Sequence, residues 1–191
     1  KIKELIVKGI IGDLQYIYSN RLNLGQVRTQ ENVFWSLAPH DISIFQYFTD
    51  YFPVEIMANG SSFLQKGIHD STIAHLKYSS GVEGHIFVSW MHPFKEHRLV
   101  VIGSEAMITF EDSIEGKPLK LYSKKHDMRN GVPEKFDGPM VQIEYEKKMP
   151  LFEELKYFVK HIDGTVPQIA NGRHAVEVTK ILVEASNQLK N

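Results

Sequence analysis

The chain has 191 residues, 42% of them hydrophobic and 24% charged, an ordinary globular composition that excludes collagen-like, fibrous and charge-rich disordered classes. Twenty-two basic residues stand against twenty-three acidic ones, a net charge of -1, so no broad positive field draws the chain to nucleic acid or to an anionic membrane. It has no cysteine, which excludes disulfides, thiolate metal sites and cysteine nucleophiles and fits a reducing, cytoplasmic location; no apolar run approaches the roughly 18 residues of a membrane span.

In chain order, Lys1 to Gly9 reads as the end of an amphipathic helix, with Ile2, Leu5 and Ile6 on one face and Gly9 at the C-terminal cap. Residues 1–11 are therefore expected to connect to something upstream, and residues 12–191 to form one α+β domain. Asp13 to Leu22 alternates as a strand: Leu14, Tyr16 and Tyr18 lie on one side, Gln15, Ile17 and Ser19 on the other. A helix is predicted from Pro39 to Tyr51, because proline suits a first helical position and Ile42, Phe45, Phe48 and Phe52 recur at spacings of three and four. Strands are predicted at 55–63, 72–78, 83–91, 98–102, 106–111, 119–123 and 141–145, with Ser79-Ser80-Gly81 and Gly103-Ser104-Glu105 as turns. The lysine-rich stretch from Lys124 to Gly138 is expected to be a long polar loop. Pro150 opens a further helix whose Leu151, Leu155, Phe158, Val159 and Ile162 are expected to face inward. A last helix carries Ala175, Val178, Ile181, Leu182 and Ala185. The fold class that follows is α+β, an open and mainly antiparallel sheet with helices packed on one face.

The compact group of reactive side chains is Trp35 to Asp41, with Arg21, Asn23 and Arg28 just upstream. Placed in the first turn of its helix, His40 would be kept neutral by the positive end of the helix dipole, which suits a general base. The alternative is a first-turn histidine bonded to backbone beside an Asp41 that merely complements the dipole. Trp90 to Lys95 forms an aromatic-rich strand end that fits either sugar stacking or a packing contact. The nine histidines fall into no ligand spacing, and no metal site is expected. Glycine-rich phosphate loops and the Gly-x-Ser-x-Gly elbow are absent from the sequence.

Four segments resemble, in order and spacing, the C-terminal domain of the Gfo/Idh/MocA oxidoreductases. They are Gly12 to Arg21, Trp35 to Asp41, Val101 to Ile108, and Phe152 to Phe158 followed by Pro167 and Gly172. The resemblance implies a Rossmann domain upstream that binds NAD or NADP, and a substrate domain whose catalytic histidine corresponds to His40. The family's aspartate four residues earlier is Ser36 in this chain, so the usual orienting carboxylate is missing. The wording most resembles members that act on nucleotide sugars, such as UDP-N-acetylglucosamine or uronate 3-dehydrogenases, in surface-polysaccharide biosynthesis. What is implied is a sugar or nucleotide-sugar dehydrogenase with His40 as base. Arg21, Asn23, Arg28, Trp35, Ser36 and Asp41 are its candidate substrate contacts, and a homodimer or homotetramer is built through the sheet. The 191 residues alone are expected to be inactive. The alternative of another class is a non-catalytic domain that keeps the fold for ligand binding or oligomerisation.

Overall fold

The computed structural model of the protein describes residues 1–189. A short helix α1 (Ile2–Val7) leads into strand β1 (Leu14–Leu22) and helix α2 (Val33–Thr49). Strands β2 (Pro53–Ser61), β3 (Ser71–Tyr78), β4 (Glu83–Ser89), β5 (Glu96–Gly103), β6 (Met107–Glu111), β7 (Leu119–Arg129) and β8 (Val132–Gln142) follow. Helices α3 (Pro150–Lys160) and α4 (Gly172–Gln188) complete the order. The end of α1 is closed by a left-handed Gly9 (φ 68°), with Gly9 N–H donating to the Ile6 carbonyl and Ile10 N–H to that of Leu5. That paired bonding is a Schellman cap, and glycine takes the positive φ at no steric cost.

All eight strands form one sheet in the order β2-β3-β4-β1-β5-β6-β7-β8. Neighbours are antiparallel except β1 and β4, which run parallel at its centre. Period-two alternation divides the sheet into two faces. Ile17, Ala74, Leu76, Ile86, Val88 and Val101 are buried beneath Phe34, Ala38, Ile42 and Phe45 of α2 and Ile181, Leu182 and Ala185 of α4. Tyr16, Tyr18, His75, His85 and Phe87 occupy the other face, which no helix among the described residues covers. Gln188 at the end of α4 accepts from Ala58 N–H (2.8 Å) and donates to the Ile56 carbonyl (2.6 Å), so part of the free edge of β2 is bonded to its own domain.

Three expectations are corrected. Helix α2 starts at Val33 rather than Pro39: Asn32 is its N-cap, accepting from Trp35 N–H at 3.0 Å, and Pro39 lies inside the helix. The stronger cap signal, Asn32 ahead of an apolar run, outweighs the preference of proline for a first turn. The polar stretch 124–138 is a β-ribbon, β7 with β8, turning at Asn130 (φ 52°) and Gly131 (φ 79°). Asn-Gly is the favoured pair for a two-residue hairpin turn, which needs positive φ at both positions. Finally, α3 has no buried residue; Leu151, Leu155, Phe158, Val159 and Ile162 are all more than half exposed. Its stripe is amphipathic as the sequence indicates, but nothing among the described residues covers it.

Two consequences can be measured by urea denaturation. At Gly84 an added Cβ would sit against the Ile17 carbonyl oxygen and 2.9 Å from Phe45 Cε2, so Gly84→Ala is expected to destabilise the domain by about 1–3 kcal/mol through overpacking. Leu155→Glu on the uncovered stripe of α3 is expected to change stability by no more than about 0.5 kcal/mol; a loss of several times that would show that the stripe is packed.

Candidate active site

Helix α2 carries the reactive residues, and its two sides hold them in different surroundings. On the sheet side, Asp41 is 3% exposed. Arg21 Nε donates to its Oδ2 at 2.7 Å and Arg21 Nη2 to its Oδ1 at 3.2 Å, a two-pronged fork from β1 to α2. Behind the fork, His97 Nδ1 lies 3.4 Å from Arg21 Nη1, and Asp112 lies 3.9 Å from His97. Burial, then the positive charges of Arg21 and Lys95, push the His97 pKa below the usual imidazole value. Sequence reasoning missed His97, which β5 brings opposite Arg21; a local motif holds no signal for a pairing so far along the chain.

The outward side of α2 presents His40, exposed and with no hydrogen bond or ion pair among the described residues. As the eighth residue of α2 it lies beyond the first turn, so the dipole reason for a neutral ring falls away. His40 lines an open groove of about 600 Å³ with Pro39, Ser43, Ile44, Asn171 and His174. The last two come from the start of α4, where Asn171 is the N-cap and accepts from His174 N–H at 3.0 Å. His174 Nε2 is buried and unpartnered. Asn171 ahead of a helical run is a legible cap, but its approach to His40 is a tertiary fact.

The other candidates do not converge on this groove. Ser36 is half-buried one turn before His40, as the four-residue spacing requires. Trp35 turns toward α4, its Nε1 donating to Ser186 Oγ at 2.8 Å. Asn23 lies just past β1, its N–H bonded to the Ser89 carbonyl, and Arg28 is exposed on the following loop, 3.9 Å from Glu31. Arg21 and Asp41 satisfy each other, so their charge is spent on joining α2 to the sheet. His40 therefore has an exposed ring with room for a ligand, and no carboxylate of its own helix to orient it.

Removing Asp41 leaves the Arg21 side chain, 17% exposed, without its counter-ion. Asp41→Ala is expected to lower stability by about 3–5 kcal/mol, the cost of breaking a buried pair from one side, read from the urea midpoint. A loss under about 1 kcal/mol would show the pair to be no more than a surface contact.

The family model of the Gfo/Idh/MocA C-terminal domain matches residues 1–109. Among solved structures, a UDP-N-acetylglucosamine 3-dehydrogenase from Acidithiobacillus ferrooxidans superposes with a TM-score of 0.79 at 16% identity, over 97% of this chain and 58% of that one. An aldose-aldose oxidoreductase from Caulobacter crescentus, complexed with glycerol, gives 0.74 at 14%, over 99% and 59%. At these identities the likeness is one of fold, and this chain spans less than two thirds of either protein. No curated protein matches. The family match covers β1, α2 with His40 and the sheet through β5, and with it the chain belongs to the Gfo/Idh/MocA C-terminal domain family.

Proposed function

We propose that this chain is the substrate domain of an NAD(P)-dependent dehydrogenase acting on a hydroxyl of a sugar or nucleotide sugar, with His40 as general base. The observation that carries this reading is the exposed, unengaged imidazole of His40 at an open groove, on the helix where the family match falls. The solved relatives named for UDP-N-acetylglucosamine and aldose chemistry support the substrate class. A nicotinamide cofactor supplies the hydride acceptor when bound. The residues present fit one edge of such a group, since the groove beside His40 has apolar walls at Ile44, Ala175 and Val178. The sequence contains no glycine-rich turn to cradle a diphosphate, which fits a cofactor held chiefly by a Rossmann domain joined ahead of α1. The uncovered stripe of α3 is apolar surface of the kind a second domain buries.

On this reading His40 takes the proton from the substrate hydroxyl as that carbon is oxidised, and its freedom from internal partners leaves a ring nitrogen available to do so. Asn171 and His174 offer polar contacts on the opposite wall. Asn23 and Arg28, on the loop at the end of β1, are proposed as contacts for a more distant part of the substrate, since Arg28 suits a carboxylate or diphosphate. Ser36 would have to act on His40 through a hydroxyl rather than a carboxylate. Trp35, Arg21 and Asp41 hold α2 in place and act indirectly. A cytoplasmic location goes with this reading, as does a homo-oligomer formed through the face of the sheet that the helices leave open.

Ser36 also favours a second reading, a non-catalytic member that keeps the fold for ligand binding or assembly, because Asp41 is turned away from His40 and into the Arg21 fork. His40→Asn in the longer protein separates the two. Turnover measured by NAD(P) reduction with UDP-N-acetylglucosamine and its uronate as probes is expected to fall by about 10²–10⁴-fold, with the circular dichroism spectrum of the domain unchanged. Turnover held within a few-fold would remove His40 from the chemistry; NAD(P) reduction by the 191 residues alone would overturn the two-domain reading.

A further inference from the structure

At one end of the sheet three loops lie side by side. Ser61 of β2, Ser71 of β3, Ser89 of β4, Leu22 of β1 and Glu96 of β5 stand opposite one another along a single row. Beyond that row run the connections 62–70, 90–95 and 23–32. The strands β2, β3, β4 and β1 that carry them span about 15 Å at the usual spacing of about 4.8 Å. Helix α1 meets the opposite end, where Glu105 N–H donates to the Ile11 carbonyl at 2.9 Å.

Each loop turns large apolar side chains into solvent. Phe63 and Leu64 are 69% and 55% exposed, Leu24 is 74% and Phe94 is 60%. The aromatic-rich stretch after β4, which the proposed chemistry leaves unused, divides into a buried Trp90 and a Phe94 at the tip. These tips are held in place. The buried carboxylate of Asp70 accepts, at Oδ2, from Phe63 N–H at 2.5 Å and Leu64 N–H at 2.9 Å, and the Asp70 carbonyl accepts from Trp90 N–H at 2.9 Å. Gln65 Nε2 donates to the Arg28 carbonyl at 2.9 Å, which ties the loop after β2 to the loop after β1. A buried carboxylate that holds phenylalanine and leucine out in water marks an interaction surface. Lys66 and Lys95 stand beside the tips, exposed and with no ion pair among the described residues. Glu31 lies 3.9 Å from Arg28, and Glu96 at the foot of the loops accepts from Asn20 Nδ2 at 2.8 Å. The exposed, unpaired charges of the three loops are therefore both positive. The patch ends at the turn after β6, where Glu115 is exposed.

We propose that this end of the sheet docks on an anionic phospholipid surface, with the apolar tips entering the headgroup region and Lys66 and Lys95 meeting lipid phosphates. The net charge of -1 excludes a broad positive field; it leaves a local one, because charges act within a screening length of about 10 Å. The pairing of apolar tips with lysines selects this occupant. A nucleic acid would answer the lysines and leave Phe63, Leu64 and Phe94 in water. A second copy meeting the patch about a two-fold axis would set Lys66 and Lys95 against their own kind, with no free carboxylate opposite. A lipid interface takes both, since the boundary of headgroups and acyl chains receives apolar side chains and the phosphates receive cations. Because the tips are already held by Asp70 and Gln65, little ordering is needed on contact. The proposal does not depend on the dehydrogenase reading, and it leaves the α1 end of the sheet uncovered.

Co-sedimentation of the 191-residue chain with vesicles tests this, using phosphatidylcholine alone and phosphatidylcholine mixed with phosphatidylglycerol, with circular dichroism to confirm the fold of each variant. Mixed vesicles are expected to retain the chain, and phosphatidylcholine to retain it at least about tenfold less, since each lysine near an anionic surface contributes roughly fivefold. Phe63→Ser together with Leu64→Ser should weaken partitioning by at least about tenfold through lost apolar burial. Lys66→Glu together with Lys95→Glu should weaken it at least as much and reduce its salt dependence. Val54→Ser, which removes a side chain 69% exposed at the opposite end of β2, should change nothing. Should the first pair of substitutions prevent folding, Phe94→Ser on its own loop is expected to weaken retention in its place. No retention by mixed vesicles, or retention that neither pair of substitutions weakens, overturns the proposal, as does an equal loss with Val54→Ser. A parent chain that self-associates in solution and is separated by Phe63→Ser with Leu64→Ser also overturns it, because the patch then belongs to a second copy.

Discussion

The fork from Arg21 to Asp41 is the contact on which the rest of this domain depends. It joins the middle of α2 to a central strand of the sheet, close to a break in the hydrogen bonding of that helix. Pro39, two residues before Asp41, has no N–H, so the Trp35 carbonyl goes without its helical partner. A buried pair of this kind gives up hydration on both ions and is held by geometry and by its neighbours more than by raw Coulomb attraction. Here the neighbours are His97 and Asp112, which extend the network across β5 and β6. The hydrophobic contacts of Phe34, Ile42 and Phe45 bring the helix down onto the sheet; the fork fixes its rotation. With Asp41 turned inward, the preceding residue, His40, about 100° round the helix, is carried outward to the groove.

That division of labour explains which residues were legible in the sequence and which were not. The strand alternation at Tyr16, Ile17 and Ser19 and most of the apolar stripes of α2 and α4 follow local period and appear in the fold as read, whereas Phe52 falls beyond the end of α2 and Ala175 of α4 is exposed. The start of α2 turns on whether Asn32 or Pro39 marks the first turn, a competition between two local rules that the backbone settles at Asn32. The ribbon of β7 and β8 was hidden by composition, since lysine, aspartate and glutamate crowd the stretch from Lys124 to Gly138 where apolar residues would mark a strand, although Asn130-Gly131 carried the turn signal. The α3 stripe shows the limit from the other side: its period is correct, but period says which residues share a face and nothing about what lies opposite.

The candidate site divides in the same way. His40 was found from its residue type and its setting in Trp35 to Asp41, and the structure gives it an open groove. Its neighbours Asn171 and His174 lie more than a hundred residues away in sequence and reach the groove because α4 lies against α2. Arg21 and Asp41 stood as possible ligand contacts through their charge, their nearness in sequence to His40 and the family resemblance. Charge does not distinguish a side chain that waits for a ligand from one that has found its partner, and the distance between these two residues in space decides it.

The two outer strands of the sheet end differently. Along β2 the amide of Ala58 and the carbonyl of Ile56 are bonded to Gln188, whereas among the described residues no strand lies beyond β8. A sheet with two free edges is a template for open-ended growth, each added copy exposing a new edge for the next. Gln188 takes up two of the backbone groups that such growth at β2 would need. A second copy adding its strand there would first have to displace that side chain, so the end of α4 makes β2 a poorer template than β8.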